Sequence, residues 1–257
     1  MKDIWAPIYL DKNEKFEFID ELITGKIPAL ILKKAFSLNL CKKITEKILD
    51  FNHISSGPGI DKKIGESLNS FINQKDIYFE KTKFVDNKLE EYFLHIEDPR
   101  VSMQYLLSLI FAKNTILAKE NNSNYSKGVF RFHDSNESFN VHRDSAHYEA
   151  TDYSVSNFPL QFSAVLHLQQ AECGGELILY RKIWEKNDEK YRSPYFGYSE
   201  NVINKIESIK IKPETGDIVI INPIHYHKIS KIKGKYDRIS VGFFFAPTVD
   251  DTLVCWA

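Results

Sequence analysis

His142 and Asp144 stand two residues apart in Phe139-Asn140-Val141-His142-Arg143-Asp144, a run whose composition reads as a β-strand. In a strand, residues i and i+2 project from one face. The imidazole and the carboxylate would then converge, with Arg143 on the outside. Such a pair makes up two-thirds of the facial triad that holds non-haem iron(II) and leaves coordination positions open. The stretch Gly216-Asp217-Ile218-Val219-Ile220-Ile221-Asn222-Pro223-Ile224-His225-Tyr226-His227 offers a third ligand: an apolar strand, a proline bend, then two histidines. On period alone His225 and His227 share a face, so either could serve. Further on, Arg238 and Ser240 also share a face. A guanidinium at the base of a barrel can clasp a dicarboxylate through two parallel hydrogen bonds, supported by a hydroxyl.

Other residues have two readings each. Arg131, on the strand preceding His142, can reach a substrate carboxylate or form an ordinary ion pair. His147 and Glu149 repeat the histidine–carboxylate spacing but adjoin a polar loop at 151–157, which suggests a rim position. His133 and His167 read as satisfied strand histidines. Trp184, Tyr191, Tyr195, Phe196 and Tyr198 lie in an insertion between strands that is either a substrate lid or an aromatic satellite core.

These groups need rigid elements to position them. The first half of the chain, 1–127, reads as mainly helical support. It opens with a strand near 28–36 and a helix capped by Ser37 that runs to Leu49. After the turn Ser55-Ser56-Gly57-Pro58-Gly59, a second helix is expected over 62–72. Asp98-Pro99 supplies an N-cap followed by proline at the first helical position. A helix from there to about Lys119 would bury Val101, Tyr105 and Leu109, with Leu106 and Ile110. From Gly128 the pattern changes to short β-branched and aromatic runs. Strands are predicted near 129–133, 139–144, 160–169, 176–180, 206–211, 217–221, 226–229 and 238–246, with a turn at Pro213-Glu214-Thr215-Gly216-Asp217. The expected class is α+β: one domain over 1–257, with a double-stranded β-helix, or jelly roll, at 128–247 buttressed by the helices.

Composition narrows the partners. The 34 Lys and Arg nearly balance the 35 Asp and Glu, and the charges are interspersed, so neither nucleic acid nor an anionic membrane is an expected partner. Cys41, Cys173 and Cys255 are an odd number without metal-site spacing, which argues against a disulfide framework. With no sustained apolar run, a soluble, cytoplasmic protein acting on a small molecule is the expectation. The oligomeric state is left open.

Taken in order, His-x-Asp, a histidine beyond Gly-Asp, an apolar strand and a proline bend, and then Arg-x-Ser resemble the Fe(II)/2-oxoglutarate-dependent dioxygenase superfamily, particularly its prolyl-hydroxylase-like branch. The resemblance covers roughly residues 128–247. It implies a metal triad of His142, Asp144 and His227. The spacing to Arg238 and the apolar residues at 229 and 232 favour His227 over His225. It also implies 2-oxoglutarate anchored by Arg238 with Ser240 beside it, and Fe(II) and O₂ as the other reactants. Cys173-Gly174-Gly175-Glu176-Leu177 is similar to the glycine turn before an inner strand of that branch. The helical front end, the 85-residue separation of the two histidines (227 − 142) and the aromatic insertion resemble bacterial enzymes acting on free or N-substituted amino acids, and stand-alone iron halogenases of alkaloid pathways. Those halogenases carry a small residue where Asp144 stands, which leaves room for halide. Asp144 therefore points to hydroxylation of an amino acid or an amino-acid-derived metabolite, with release of succinate and CO₂. A peptidyl or protein hydroxylase is the competing expectation within this chemistry. A non-redox, cupin-like metal protein is the competitor outside it, and has no need of the Arg238 anchor.

Overall fold

A computed structural model describes residues 4–11, 13–16, 19–57, 60–134 and 137–257. In chain order its elements begin with β1 (Ile8–Asp11), α1 (Ile19–Ile23), β2 (Ala29–Lys33), α2 (Leu38–Leu49), β3 (Ser55–Gly57) and β4 (Ile60–Ile64). Next come α3 (Lys75–Tyr92), α4 (Pro99–Ile110), β5 (Asn114–Leu117), β6 (Lys119–Glu120), β7 (Ser123–Asn124), β8 (Val129–His133) and β9 (Phe139–His142). A one-turn α5 (Ala146–Glu149) precedes β10 (Phe162–Gln169), β11 (Leu177–Ile183), β12 (Ser208–Ile211) and β13 (Ile218–Ile221). The chain finishes with β14 (His225–Ile229), β15 (Arg238–Pro247) and β16 (Thr252–Trp256).

Two sheets carry the architecture. The larger runs β1-β2-β13-β10-β15-β8-β4-β3, and the smaller runs β12-β11-β14-β9. Strand β15 organises the larger sheet. Along one edge it pairs β10; along the other it pairs β8 through Arg238–Gly242 positions and β16 through Phe244–Pro247 positions. Each strand of this sheet sorts its side chains by period 2. Phe130 and Phe132, Ala164 and Leu166, and Ile239 and Val241 join the core that includes Ile44 and Ile48 of α2, Val85 and Leu89 of α3, and Met103 and Leu107 of α4. Arg131, His133, Val165, His167, Arg238 and Ser240 turn the other way, into a pocket also lined by the smaller sheet. Beside that pocket the sheets close on each other through Ala29, Ile31, Val219 and Ile221 against Leu177, Leu179 and Ile211.

The eight strands expected from 128 onward are all present, with ends moved by up to three residues. The first half departs further from expectation. The segment 62–72 is not a helix: β4 pairs with β8, and a 3₁₀ turn at Leu68–Phe71 follows. At Gly65 the backbone has a φ of +99°, outside helical geometry, and only glycine fits because a Cβ there would lie 2.7 Å from the Gly128 carbonyl oxygen. The turn expected just before this segment falls partly at 58–59, outside the described residues. Helix α4 ends at Ile110 rather than near Lys119. Ala112 is left-handed, and Asn114–Leu117 instead pairs in parallel with the C-terminal strand β16. Its buried face also differs: Val101, Tyr105 and Leu109 are exposed, while Arg100, Met103, Leu107 and Ile110 are buried. Helix α3 lacked a legible apolar stripe because Thr82 and Asp86 occupy its buried face beside Tyr78, Val85 and Leu89. Strands β1 to β5 and β16 also bring residues outside 128–247 into the larger sheet or its edge. No helix among the described residues is long and apolar enough to cross a membrane.

Arg100 explains the polar stripe. Its fully buried guanidinium pairs with Asp98, which caps α4, and with Asp86 of α3, which also accepts from the Lys127 amide at 3.1 Å. Burial pushes the Asp86 carboxyl upward against the pull of Arg100. Removing the cation strands that carboxylate in the core. Arg100→Met should therefore lower unfolding stability by about 3–5 kcal/mol in urea denaturation.

Candidate active site

Strands β9 and β14 bring His142 and His227 into register as cross-strand partners, with ring centroids 4.1 Å apart. The two imidazoles are oriented alike by the backbone. Nδ1 of His142 lies 2.7 Å from the Asn140 carbonyl, and Nδ1 of His227 lies 2.9 Å from that of His225. Each Nδ1–H donates to its carbonyl, so each Nε2 keeps its lone pair and presents it inward. Asp144 lies just past the end of β9, where its amide donates to the Pro223 carbonyl at 2.9 Å. The proline bend before β14 thus fixes the third group. Asp144 Oδ2 is 3.4 Å from His227 Nε2 and 3.9 Å from His142 Nε2.

All three ligand atoms lie within 4.8 Å of one another. Burial and the neighbouring His227 hold His142 down to about 3. Burial alone would raise Asp144, but its proximity to His227 and His142 outweighs this and brings the carboxyl to about 2. Neutral imidazole and ionised carboxylate are the protonation states a divalent cation requires. Two nitrogens and one oxygen on one side, with the pocket on the other, fit the facial arrangement of non-haem iron.

His225 faces elsewhere. Its Nδ1 lies 3.3 Å from the Tyr180 carbonyl, and its ring packs 6.1 Å from that of Trp5. Gly25 presses on the other edge, where a Cβ would come within 2.5 Å of His225 Nε2. In the β11–β14 ladder His227 pairs with Leu179, and His225 pairs with Ile183 beyond a register shift. The His147–Glu149 pair is not part of the cluster. His147 Nδ1 is 2.7 Å from the Ser156 carbonyl, and Glu149 binds Arg192 at 3.0 Å. Arg143 turns away from the pocket, as expected, but it is buried there. Its guanidinium lies over the Trp184 ring at 4.3 Å and faces Glu149 at 3.5 Å.

Arg238 and Ser240 open into the pocket from the larger sheet, opposite the histidine pair. Burial, then the charge of Arg131, lowers the Arg238 guanidinium to about 10, and its Nε has no partner among the described residues. Arg131 occupies the adjacent strand as the cross-strand partner of Ser240. His133 and His167 are not ligands of the cluster, but they do line the pocket as partners of Arg238 and Ser240. Burial and the Arg238 charge hold both well below the usual histidine range. Their pocket role was missed, although the alternation that placed Arg238 would also have placed them. The insertion closes the wall: Phe196 packs on Phe139 and His142 at 4.8 and 5.2 Å, while Tyr198 and Tyr191 belong to a separate aromatic cluster. The insertion thus contributes Phe196 to the pocket wall and Tyr191 and Tyr198 to a satellite core.

The profile of the carrier-protein-independent halogenase WelO5 family matches residues 10–257. Among proteins of solved structure, the fold is similar to an N-substituted L-amino acid dioxygenase from Burkholderia ambifaria AMMD, in complex with α-ketoglutarate (TM-score 0.60, 14% identity, 93% of this chain and 90% of that one). It is also similar to HygX from Streptomyces hygroscopicus (TM-score 0.52, 9% identity, 91% and 88%). In sequence, the leucinostatins biosynthesis cluster protein S of Purpureocillium lilacinum is 28% identical over 152 residues, 55% of this chain and 61% of that protein. The chain belongs to the carrier-protein-independent halogenase WelO5 family, and is thereby a 2-oxoglutarate-dependent Fe(II) oxygenase that uses O₂.

Proposed function

We propose that this oxygenase hydroxylates a small substrate, an amino acid or an amino-acid-derived metabolite, rather than halogenating it. The observation that carries this reading is the Asp144 carboxylate within 3.4 and 3.9 Å of the two histidine nitrogens. In this reading His142, Asp144 and His227 hold Fe(II). A carboxylate at that corner occupies the position a halide would need. Similarity to an N-substituted L-amino acid dioxygenase supports an amino-acid-derived substrate. Roofing of the histidines by Phe196 favours a small molecule over a peptide chain. The two facing sheets are read as a jelly roll within one domain, the 1–127 segment completing the sheet edges as well as buttressing them. A cytoplasmic location accords with this chemistry.

Bound iron and 2-oxoglutarate supply the oxidising equivalent when O₂ reacts with them. The chain's own residues bind, orient and enclose. Arg238 takes the far carboxylate of 2-oxoglutarate, with the Ser240 hydroxyl in support. The neutral imidazoles keep their Nδ1 protons on backbone carbonyls, so no proton competes at Nε2. Phe139 and Phe196 exclude water from the histidine face. Arg131 is left facing the space between, where a substrate carboxylate can lie.

Arg238→Lys tests the anchor, since lysine keeps the charge but loses the planar fork. Loss of a charge-assisted hydrogen bond costs about 1.5–3 kcal/mol, so the Kd for 2-oxoglutarate should rise roughly ten- to hundredfold. Anaerobic titration of the iron–keto-acid charge-transfer band measures this, and iron affinity should be unchanged. The function itself is tested with a panel of free and N-substituted amino acids, supplied with Fe(II), 2-oxoglutarate, O₂ and chloride. Hydroxylation predicts succinate release coupled to a product heavier by one oxygen atom. A chlorinated product from the unaltered protein would overturn the assignment.

A further inference from the structure

Lys63 has no part in the iron or 2-oxoglutarate sites, yet it lines the same pocket with a side chain only 1% exposed. It stands on β4 directly opposite Arg131 of β8. Two cations at facing positions on one face of a sheet repel each other. All three donors of Lys63 have partners, but each contact is long. Lys63 Nζ lies 3.4 Å from Glu66 Oε2, 3.3 Å from Ser67 Oγ and 3.2 Å from Ser70 Oγ. A tight ammonium–carboxylate bond runs about 2.7–2.9 Å. Burial depresses the Lys63 ammonium despite Glu66, and depresses Arg131 despite the more distant charge of Asp144.

The charges around the pocket do not balance. Lys63, Arg131 and Arg238 are positive, and Asp144 with Glu66 behind Lys63 supply two negatives. Iron(II) and the 2-oxoglutarate dianion cancel each other on binding. Among the described residues, one positive charge remains without a counterion. Arg238 and Lys63 stand on β15 and β4 with β8 between them, a span of roughly 10 Å at the usual strand spacing, so they are placed for different groups.

We propose that Lys63 and Arg131 form an anion subsite for a carboxylate of the organic substrate, with Lys63 as the anchor. The substrate is then a carboxylate-bearing compound, held at β4 with its remaining length directed toward His142 and His227. Glu66 and the two serines hold Lys63 only through contacts of 3.2–3.4 Å, which a pocket anion can exchange for a shorter one. The inference rests on the oxygenase reading above.

The test uses the anaerobic protein loaded with Fe(II) and 2-oxoglutarate, and free and N-acetylated L-amino acids, each paired with its primary amide. Binding is read as the rise in Tm and as the shift of the charge-transfer band. At least one acid should bind at least about tenfold more tightly than its amide, as expected when a charge-assisted bond is lost. In Lys63→Met/Glu66→Gln, which removes the buried pair together, that preference should vanish. The Kd for 2-oxoglutarate should stay within about twofold, and Tm without substrate should be unchanged or higher, because repulsion on Arg131 is relieved. Lys63→Arg should retain the preference. The proposal fails if no acid outperforms its own amide. It fails equally if the double variant loses 2-oxoglutarate affinity as Arg238→Lys does, or lowers Tm by several degrees, which would make Lys63 part of the cosubstrate site or of the scaffold. A wild-type protein without the charge-transfer band would instead sink the parent reading. A normal band without acid preference sinks this one alone.

Discussion

His142→Ala and His227→Ala should each abolish the charge-transfer band of the anaerobic iron–2-oxoglutarate complex, and with it all succinate formation. Each removes one of two imidazoles whose Nε2 atoms are aimed by a backbone carbonyl behind Nδ1. Mutation of groups merely behind metal ligands costs about 10–100-fold in metal affinity or activity, so loss of a ligand itself should exceed that range. His225→Ala is the informative control. That ring lies against Trp5, Gly25 and the Tyr180 carbonyl. Its removal should leave the band intact and cost about 1–3 kcal/mol of stability from lost packing. The reverse pattern, with the band lost in His225→Ala and kept in His227→Ala, would exchange the two residues' roles.

Asp144→Gly should reduce hydroxylation by at least about 100-fold, since it removes a ligand rather than a supporting residue. In the proposed reading the carboxylate fills a metal position, and it is the attractive charge felt by Arg131. Its loss leaves the iron and the guanidinium more cationic together, with an open corner between them. Iron should bind more weakly, 2-oxoglutarate should still bind through Arg238, and high chloride should shift the charge-transfer band of the variant while leaving that of the wild type unchanged. Anaerobic spectra with and without chloride measure the first three effects, and product masses measure the fate of the substrate. Chlorination would further require the halide to lie nearer the substrate carbon than the hydroxyl does, a geometry set by surrounding residues. Near-normal hydroxylation by Asp144→Gly would remove Asp144 from the metal.

The sequence by itself determined the parts of this protein that depend on near neighbours. Period-2 alternation in the runs holding Arg131, His133, Arg238 and Ser240 fixed which side chains leave each strand together, and the strands formed there. Ser37 and Asp98 marked two helix starts because their side chains satisfy amides one turn ahead. The spacings of His142, Asp144 and Arg238 carried the chemistry, since a metal and a dicarboxylate each require particular donor sets. Tertiary structure decided the rest. His225 and His227 are equivalent by period, and only tertiary contacts separate them: His225 packs on Trp5, Gly25 and the Tyr180 carbonyl, while His227 stands opposite His142. Lys63 falls within the helix expected over 62–72, and only pairing with β8 sets it beside Arg131. Val101, Tyr105 and Leu109 form as good an apolar stripe as the face that is buried. The choice fell to Arg100, whose partner Asp86 comes from another helix. Local periodicity defines candidate faces, but only contact between distant segments gives a face something to bury against.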